Sequence, residues 1–367
     1  MTDYKFFAPE FTLAGTGLAV LTADLFLNES KKRWLPIVAL AGIAGGIGAT
    51  LAFVHSDAKL YDGLFYIDHF AIFFKVLLLV VGAFMVMASV DYVNRWLKSP
   101  GEYYGILLFS IAAMMAMVSA GELLTAYISL ELFSFTLYIL AGYAFRPKSV
   151  EASIKYILVG AFSSAILLYG LSMIYGSLGT TTFSGISQAL AGGADTSKAF
   201  LAGIVLVIAG FGFKVTAVPF HMWAPDVYEG APTPVTAYLA VASKTASFAL
   251  LLRMFSMGFG PAIDQWRYVI AGIAGATILL GNLVAIAQHN IKRMLAYSSI
   301  GQAGYMLMAI AALSPLASNA LLFHVVGYAA SSFAAFVAVI AFENLTAKKK
   351  SLITPAWASG IHSWRWY

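Results

Sequence analysis

Three strongly apolar stretches each carry one ionisable residue near the middle: Glu131, Lys214 and Lys244. A charge at bilayer depth costs roughly 2.5–3.5 kcal/mol on insertion scales. Three together cost roughly 8–10 kcal/mol on that scale, comparable to the whole stability of many domains. A chain keeps such groups where they face one another, water or a transported ion, so the trio points to charge movement through a membrane. If Glu131, central in LLTAYISLELFSFTLYIL, faces Lys214, the two titrate as one coupled pair. Loading that pair with a proton from one side and unloading it to the other is the elementary step of a pump. The bland alternative is a structural ion pair that fixes helix packing.

The lysines lie in one run, FGFKVTAVPFHMWAPDVYEGAPTPVTAYLAVASKTASFALLLRMF, residues 211–255. Pro219 and Pro225 predict a break just after Lys214, and broken backbone at membrane depth is tolerated where it lines a cavity or is covered by protein. A loop with Trp223, Asp226, Tyr228 and Glu229 is expected next, and Pro232 and Pro234 open the following helix, as Pro does in a first turn. Lys214 has the alternative of snorkelling to the cytoplasmic edge; Lys244 is too deep for that. Lys155, in EASIKYILVGAFSSAILLYG, extends the relay or snorkels. His221 after the break, and His324 beside Tyr328 and Ser331, suit proton transfer because imidazole titrates near neutrality, although a lone histidine is more often structural. Ser298, Ser299 and Gln302 are polar at helical spacing and line a water chain or bond neighbouring helices. Lys75 and Arg253 fall nearer span ends, where snorkelling is expected.

These residues need a membrane scaffold, and the composition supplies one. The chain is 60% hydrophobic and 11% charged, far below the quarter typical of soluble proteins. Its mean hydropathy is +0.83. Alternating β-barrel patterning is absent, so the spans are helices. We read eleven: 9–27, 34–54, 68–90, 103–119, 121–144, 150–176, 199–219, 231–256, 266–288, 294–313 and 317–342. The outside connection 177–198, rich in Gly, Ser and Thr, reads as a flexible surface loop. There are no cysteines, which excludes thiolate-held iron–sulfur clusters, Cys-bound zinc and disulfides. No Gly-rich nucleotide loop follows a strand pattern, and no two histidines share ligand spacing on one helix face.

The net charge of +5 is a topology signal rather than a nucleic-acid patch. One set of loops holds Lys31, Lys32, Arg33, Arg95, Lys98, Arg146, Lys148, Lys292, Arg293 and Lys348 to Lys350. The opposite set holds only Lys5, Lys59, Lys198 and Arg267. The sets alternate with every span, which places the first in the cytoplasm, the N-terminus outside and the end of the eleventh span inside. MTDYKFFAPEF has no basic region ahead of its apolar run and is not expected to be a cleaved signal peptide.

The runs FKVTAVPFHMWAPDVYEGAPTPVTAYLAVASKTASFALLLR and HNIKRMLAYSSIGQAGYMLMA resemble the antiporter-like membrane subunits of respiratory complex I, most closely its subunit N family. The resemblance runs from the first span to about Ala347. It implies an all-α polytopic fold of fourteen helices with two inverted five-helix repeats and a broken seventh helix, of which about eleven helices are here. It divides the chain into 1–102 (helices one to three), 103–257 (first repeat, helices four to eight), 258–347 (an incomplete second repeat) and 348–367 (an aberrant cytoplasmic tail). It implies proton translocation driven by quinone reduction elsewhere in the complex, through family residues matching Glu131, Lys214 and Lys244, with Lys155 matching the sixth-helix lysine.

NADH, FMN, iron–sulfur clusters and quinone are then expected on other subunits, with no cofactor on this chain. The expected partners are other membrane subunits, lipid, protons and internal water in a bacterial inner membrane, with no nucleic acid. The final SLITPAWASGIHSWRWY departs from the family and fits no span. Codons compatible with a +2 frame reading SDYAGLGKRHPFVALV make a frameshift near 348–352 the expectation. Two other classes compete: a stand-alone cation/proton antiporter, which sodium-dependent transport would favour, and an inert membrane spacer, which would tolerate neutralising Lys244.

Overall fold

The computed structural model describes residues 3–97, 99–193 and 197–357, the stretch 347–357 as backbone only. Among them, helices occupy all eleven predicted spans. They are α1 (Ala8–Phe26), α2 (Leu35–Leu51), α3 (His69–Trp96), α4 (Pro100–Ser119), α5 (Leu123–Gly142), α6 (Pro147–Leu178), α7 (Lys198–Lys214), α8 (Thr233–Met257), α9 (Ile263–Ile286), α10 (Ile291–Ala312) and α11 (Pro315–Trp357). Nine of these are long and apolar enough to cross a membrane by a length-and-hydropathy criterion. At 17 residues α7 is short, because it stops at Lys214. The reading of 348–367 as a tail lies outside the described residues beyond the α11 backbone to Trp357.

Local chemistry sets the helix starts. Asp68 caps α3 by accepting from the Ala71 amide at 2.7 Å, Glu122 caps α5 through the Thr125 amide at 2.7 Å, and Asn290 caps α10 through Lys292 at 2.9 Å. Proline sits in the first turn of α2, α4 and α6, where its missing N–H costs nothing. Helix α8 is the hub: its apolar window is entirely buried, and it touches α3, α4, α5, α7, α10 and α11. Helices α9 and α10 approach so closely at Gly281 that a Cβ there would collide with the Gly301 backbone.

Several expectations change. The 177–198 connection is ordered where described: Phe183–Ala191 is a helix with Phe183 and Ile186 buried, and Glu122 bridges Thr182. The stretch read as a loop, Trp223–Gly230, is a short helix. A hairpin pairs Ala58–Leu60 antiparallel with Phe65–Ile67, which apolar patterning had not shown because each strand is three residues. Lys75 and Arg253 do not snorkel. Lys75 is buried against Glu10 at 2.7 Å, and Arg253 makes a two-pronged contact with Asp68 at 2.7 and 2.9 Å. A partner carboxylate removes the need to reach water, and sequence spacing cannot show a partner on another helix.

Candidate functional site

Helix α7 ends at Lys214, and the chain reverses through Thr216, whose φ of +62° is left-handed backbone that a β-branched residue rarely adopts. The Trp223 indole donates to the Phe213 carbonyl at 3.1 Å, and the Tyr156 ring stacks on Trp223 with centroids 4.4 Å apart. The break is therefore sealed by protein, as a polar backbone in lipid requires. It leaves the Lys214 side chain 3% exposed and pointed at α5.

There Lys214 Nζ lies 3.8 Å from Glu131 Oε1 and donates to the Ser134 hydroxyl at 2.8 Å and to the Tyr138 phenol at 3.4 Å. Ser164 of α6 donates to the same Glu131 oxygen. One carboxylate oxygen is thus shared at the same time between an ammonium and a hydroxyl.

Lys244 is 1% exposed. Its ammonium donates to the Ser299 carbonyl at 2.6 Å and to the Ser299 hydroxyl, and it has no carboxylate partner among the described residues. Tyr328 joins this group: its hydroxyl lies 2.9 Å from Ser299 Oγ and donates to the Ala240 carbonyl at 2.7 Å. Residues Leu239–Ser243, just ahead of Lys244, form a π-helical turn, the kind of irregularity that frees carbonyls and recurs at functional sites. A buried ammonium without a counter-charge is costly, which suits a station that holds its proton only in transit.

Of the polar residues read from the sequence, Ser299 reaches Lys244. Gln302 and His324 instead line a cavity of about 440 Å³ between α10 and α11. His221 lies in the turn after the break, 9% exposed, and its Nδ1 has no partner among the described residues. Lys155 is not joined to the buried row. Its ammonium is near the surface, 2.7 Å from Glu151 and 3.3 Å from Asp226. Asp226 and Glu229 both take Arg293, at 2.7 and 3.2 Å, and Lys292 donates to the Glu229 and Ala231 carbonyls at 3.0 and 2.6 Å. These contacts clamp the short helix Trp223–Gly230 onto the start of α10.

Sequence reasoning missed Tyr228. It is fully buried, and its hydroxyl faces Ser299 and Tyr328 without a completed hydrogen bond among the described residues. It stands between the break and the Lys244 group, and the tyrosine looked like an ordinary loop aromatic.

A bundle with a helix broken at a buried lysine, a carboxylate facing it and a second buried lysine on the next helix is the architecture of antiporter-like membrane subunits. Residues 120–355 match the family described as NADH:quinone oxidoreductase/Mrp antiporter, transmembrane, and the chain belongs to that family. It is 45% identical over 345 residues to the NADH-quinone oxidoreductase subunit N of Moorella thermoacetica, covering 94% of this chain and 72% of that one. It superposes on a chain of respiratory complex I from Thermus thermophilus with a TM-score of 0.75 and 29% identity, over 90% of this chain and 70% of that one. The fold also matches a chain of the Mrp complex from Dietzia, at TM-score 0.81 and 22% identity, over 94% of this chain and 65% of that one. The chain is a multi-pass membrane protein.

Proposed function

We propose that this chain is subunit N of a proton-pumping NADH-quinone oxidoreductase, and that Glu131, Lys214 and Lys244 carry its protons. The observation that carries the reading is the 3.8 Å contact between buried Lys214 and partly buried Glu131, one helix away from a second buried lysine that has only neutral partners among the described residues. Flavin, iron–sulfur clusters and quinone belong to other subunits. A cysteine-free chain cannot supply thiolates to a cluster. The partners are neighbouring membrane subunits of a bacterial inner membrane, with the N-terminus of this chain outside. Helices α4 to α8 form the first of two inverted repeats, and α9 to α11 belong to the second.

In the resting pair, Lys214 holds a proton and Glu131 balances its charge. A conformational signal from the neighbouring subunits draws Glu131 away from Lys214. The Lys214 ammonium then stands in an apolar site with only hydroxyl partners, and it gives up its proton. Tyr138, Tyr228 and water carry that proton toward the Ser299 hydroxyl and Lys244. When Glu131 returns, Lys214 is reloaded from the cytoplasmic side. Lys155 stands at that side, where it holds Asp226 at the rim, and His221 follows the break in the chain.

The test is Lys244→Ala in the whole complex. Electron transfer from NADH to quinone should persist while proton uptake into vesicles loses this subunit's share. Full proton yield from the variant would leave the inert-spacer reading standing instead.

A further inference from the structure

On the face of α8 turned away from Lys244's partners lies a second polar group that the proposed mechanism does not use. Tyr103 and Tyr104 of α4 are 0% and 1% exposed, and both phenol oxygens face the buried Ser89 of α3. Neither completes a hydrogen bond with any described residue. The Ser89 hydroxyl donates to the Val86 carbonyl at 2.9 Å, which leaves its lone pairs open to a donor. Deeper along α4, Ser110 accepts from the Tyr238 phenol of α8 at 3.3 Å, and Tyr238 directly precedes the π-helical turn that leads to Lys244.

The row has a mouth. Tyr92 of α3 neighbours Tyr103 and also lines a cavity of about 320 Å³ at the end of the bundle where Arg146, Glu229, Lys292 and Glu343 meet. Glu343 accepts from the Thr233 hydroxyl at 2.9 Å on the first turn of α8. By the charge of its loops this is the cytoplasmic end.

Serine and threonine in membrane helices satisfy themselves on their own backbone, but a tyrosine phenol is too far from its own helix to do so. Buried phenols almost always find a partner; these two reach only towards the single Ser89 hydroxyl without completing a bond among the described residues, an arrangement that bound water completes. A purely structural cluster would complete the bonds between its own hydroxyls, which Tyr103 and Tyr104 do not.

We propose that Ser89, Tyr103, Tyr104, Ser110 and Tyr238 line a water-filled uptake branch that carries cytoplasmic protons from the Glu343 cavity toward the π-helical turn before Lys244. The branch rests on the proton-pump reading for its use, while its water content does not depend on that reading. Hydroxyls and water pass protons by hydrogen-bond exchange, so no net charge needs to rest on any phenol.

Two measurements on the assembled complex test it. In hydroxyl-radical footprinting by pulsed X-rays, a side chain touching bound water is oxidised even when buried. Trp266 is the dry reference: it is 0% exposed, its indole N–H is bonded to the Phe259 carbonyl, and Trp is intrinsically the more reactive ring. Tyr103 and Tyr104 should label faster than Trp266, because they touch water and it does not. Labelling at or below the Trp266 rate overturns the proposal. In the second measurement, the Tyr103→Phe/Tyr104→Phe double variant should lose the same share of proton yield that Lys244→Ala removes. An assembled double variant with full yield shows that the branch is not used. If Lys244→Ala itself has full yield while the tyrosines still label, the pump reading fails and the water-filled row stands.

Discussion

Replacing Glu131 by Gln removes one charge and almost no volume. The amide still accepts from Ser164, so packing between α5 and α6 is kept. What disappears is the attraction across 3.8 Å to Lys214. At an effective dielectric of about 20, that attraction is on the order of 4 kcal/mol, or a factor of about 10³ in an equilibrium. The pair can then no longer be loaded at one side and emptied at the other, because the term that alternates is gone. Glu131→Asp is the graded control. It draws the carboxylate back by about one C–C bond of ~1.5 Å, which weakens the attraction by about 1 kcal/mol and leaves a working but slower pair. The assay is the purified complex in proteoliposomes, with NADH oxidation followed by absorbance and internal acidification by a quenched dye. Glu131→Gln should show a reduced proton-to-electron ratio, and Glu131→Asp a value between it and the unmodified complex. An unchanged ratio in Glu131→Gln, with the complex intact, refutes the coupling argument.

Three further outcomes follow from the fold. Lys75→Met strands the buried Glu10 carboxylate and should cost about 3–5 kcal/mol, while the double change with Glu10→Gln recovers most of it; melting of the complex reads both. Gly281→Val drives a side chain into the Gly301 backbone, and overpacking of about 1–3 kcal/mol should lower the melting temperature, with no change meaning that α9 and α10 are not in contact there. Asp226 gives a pH signature: burial disfavours its charged form, but hydrogen bonds and charge from Arg293 and Lys155 outweigh this and hold the carboxyl below its ordinary 3.8. A carboxylate with a lowered value stabilises the fold above its unfolded value and loses that contribution as pH falls through the folded one. The stability gap between the unmodified chain and Asp226→Asn should therefore be constant at neutral pH and close below about pH 4.

Apolar run length determined the eleven spans, because a helix is the one open-chain way to satisfy backbone in lipid, and that constraint is written locally. The cost of a buried charge likewise made Glu131, Lys214 and Lys244 stand out without any knowledge of their neighbours. Prolines marked the end of α7 to within a few residues, since a missing N–H acts on its own helix.

What the sequence could not tell was who faces whom. Lys75 and Arg253 looked like snorkelling residues until Glu10 and Asp68, on other segments, were found beside them. Lys155 sits at the surface against Asp226, away from the buried row, and Tyr228 enters that row from what looked like a loop. The π-helical turn before Lys244 has no local signature either. A charge has its cost wherever it is buried, so its residue type is informative by itself. Its partner is chosen by the packing of helices far apart in the chain, and only the tertiary structure decides that.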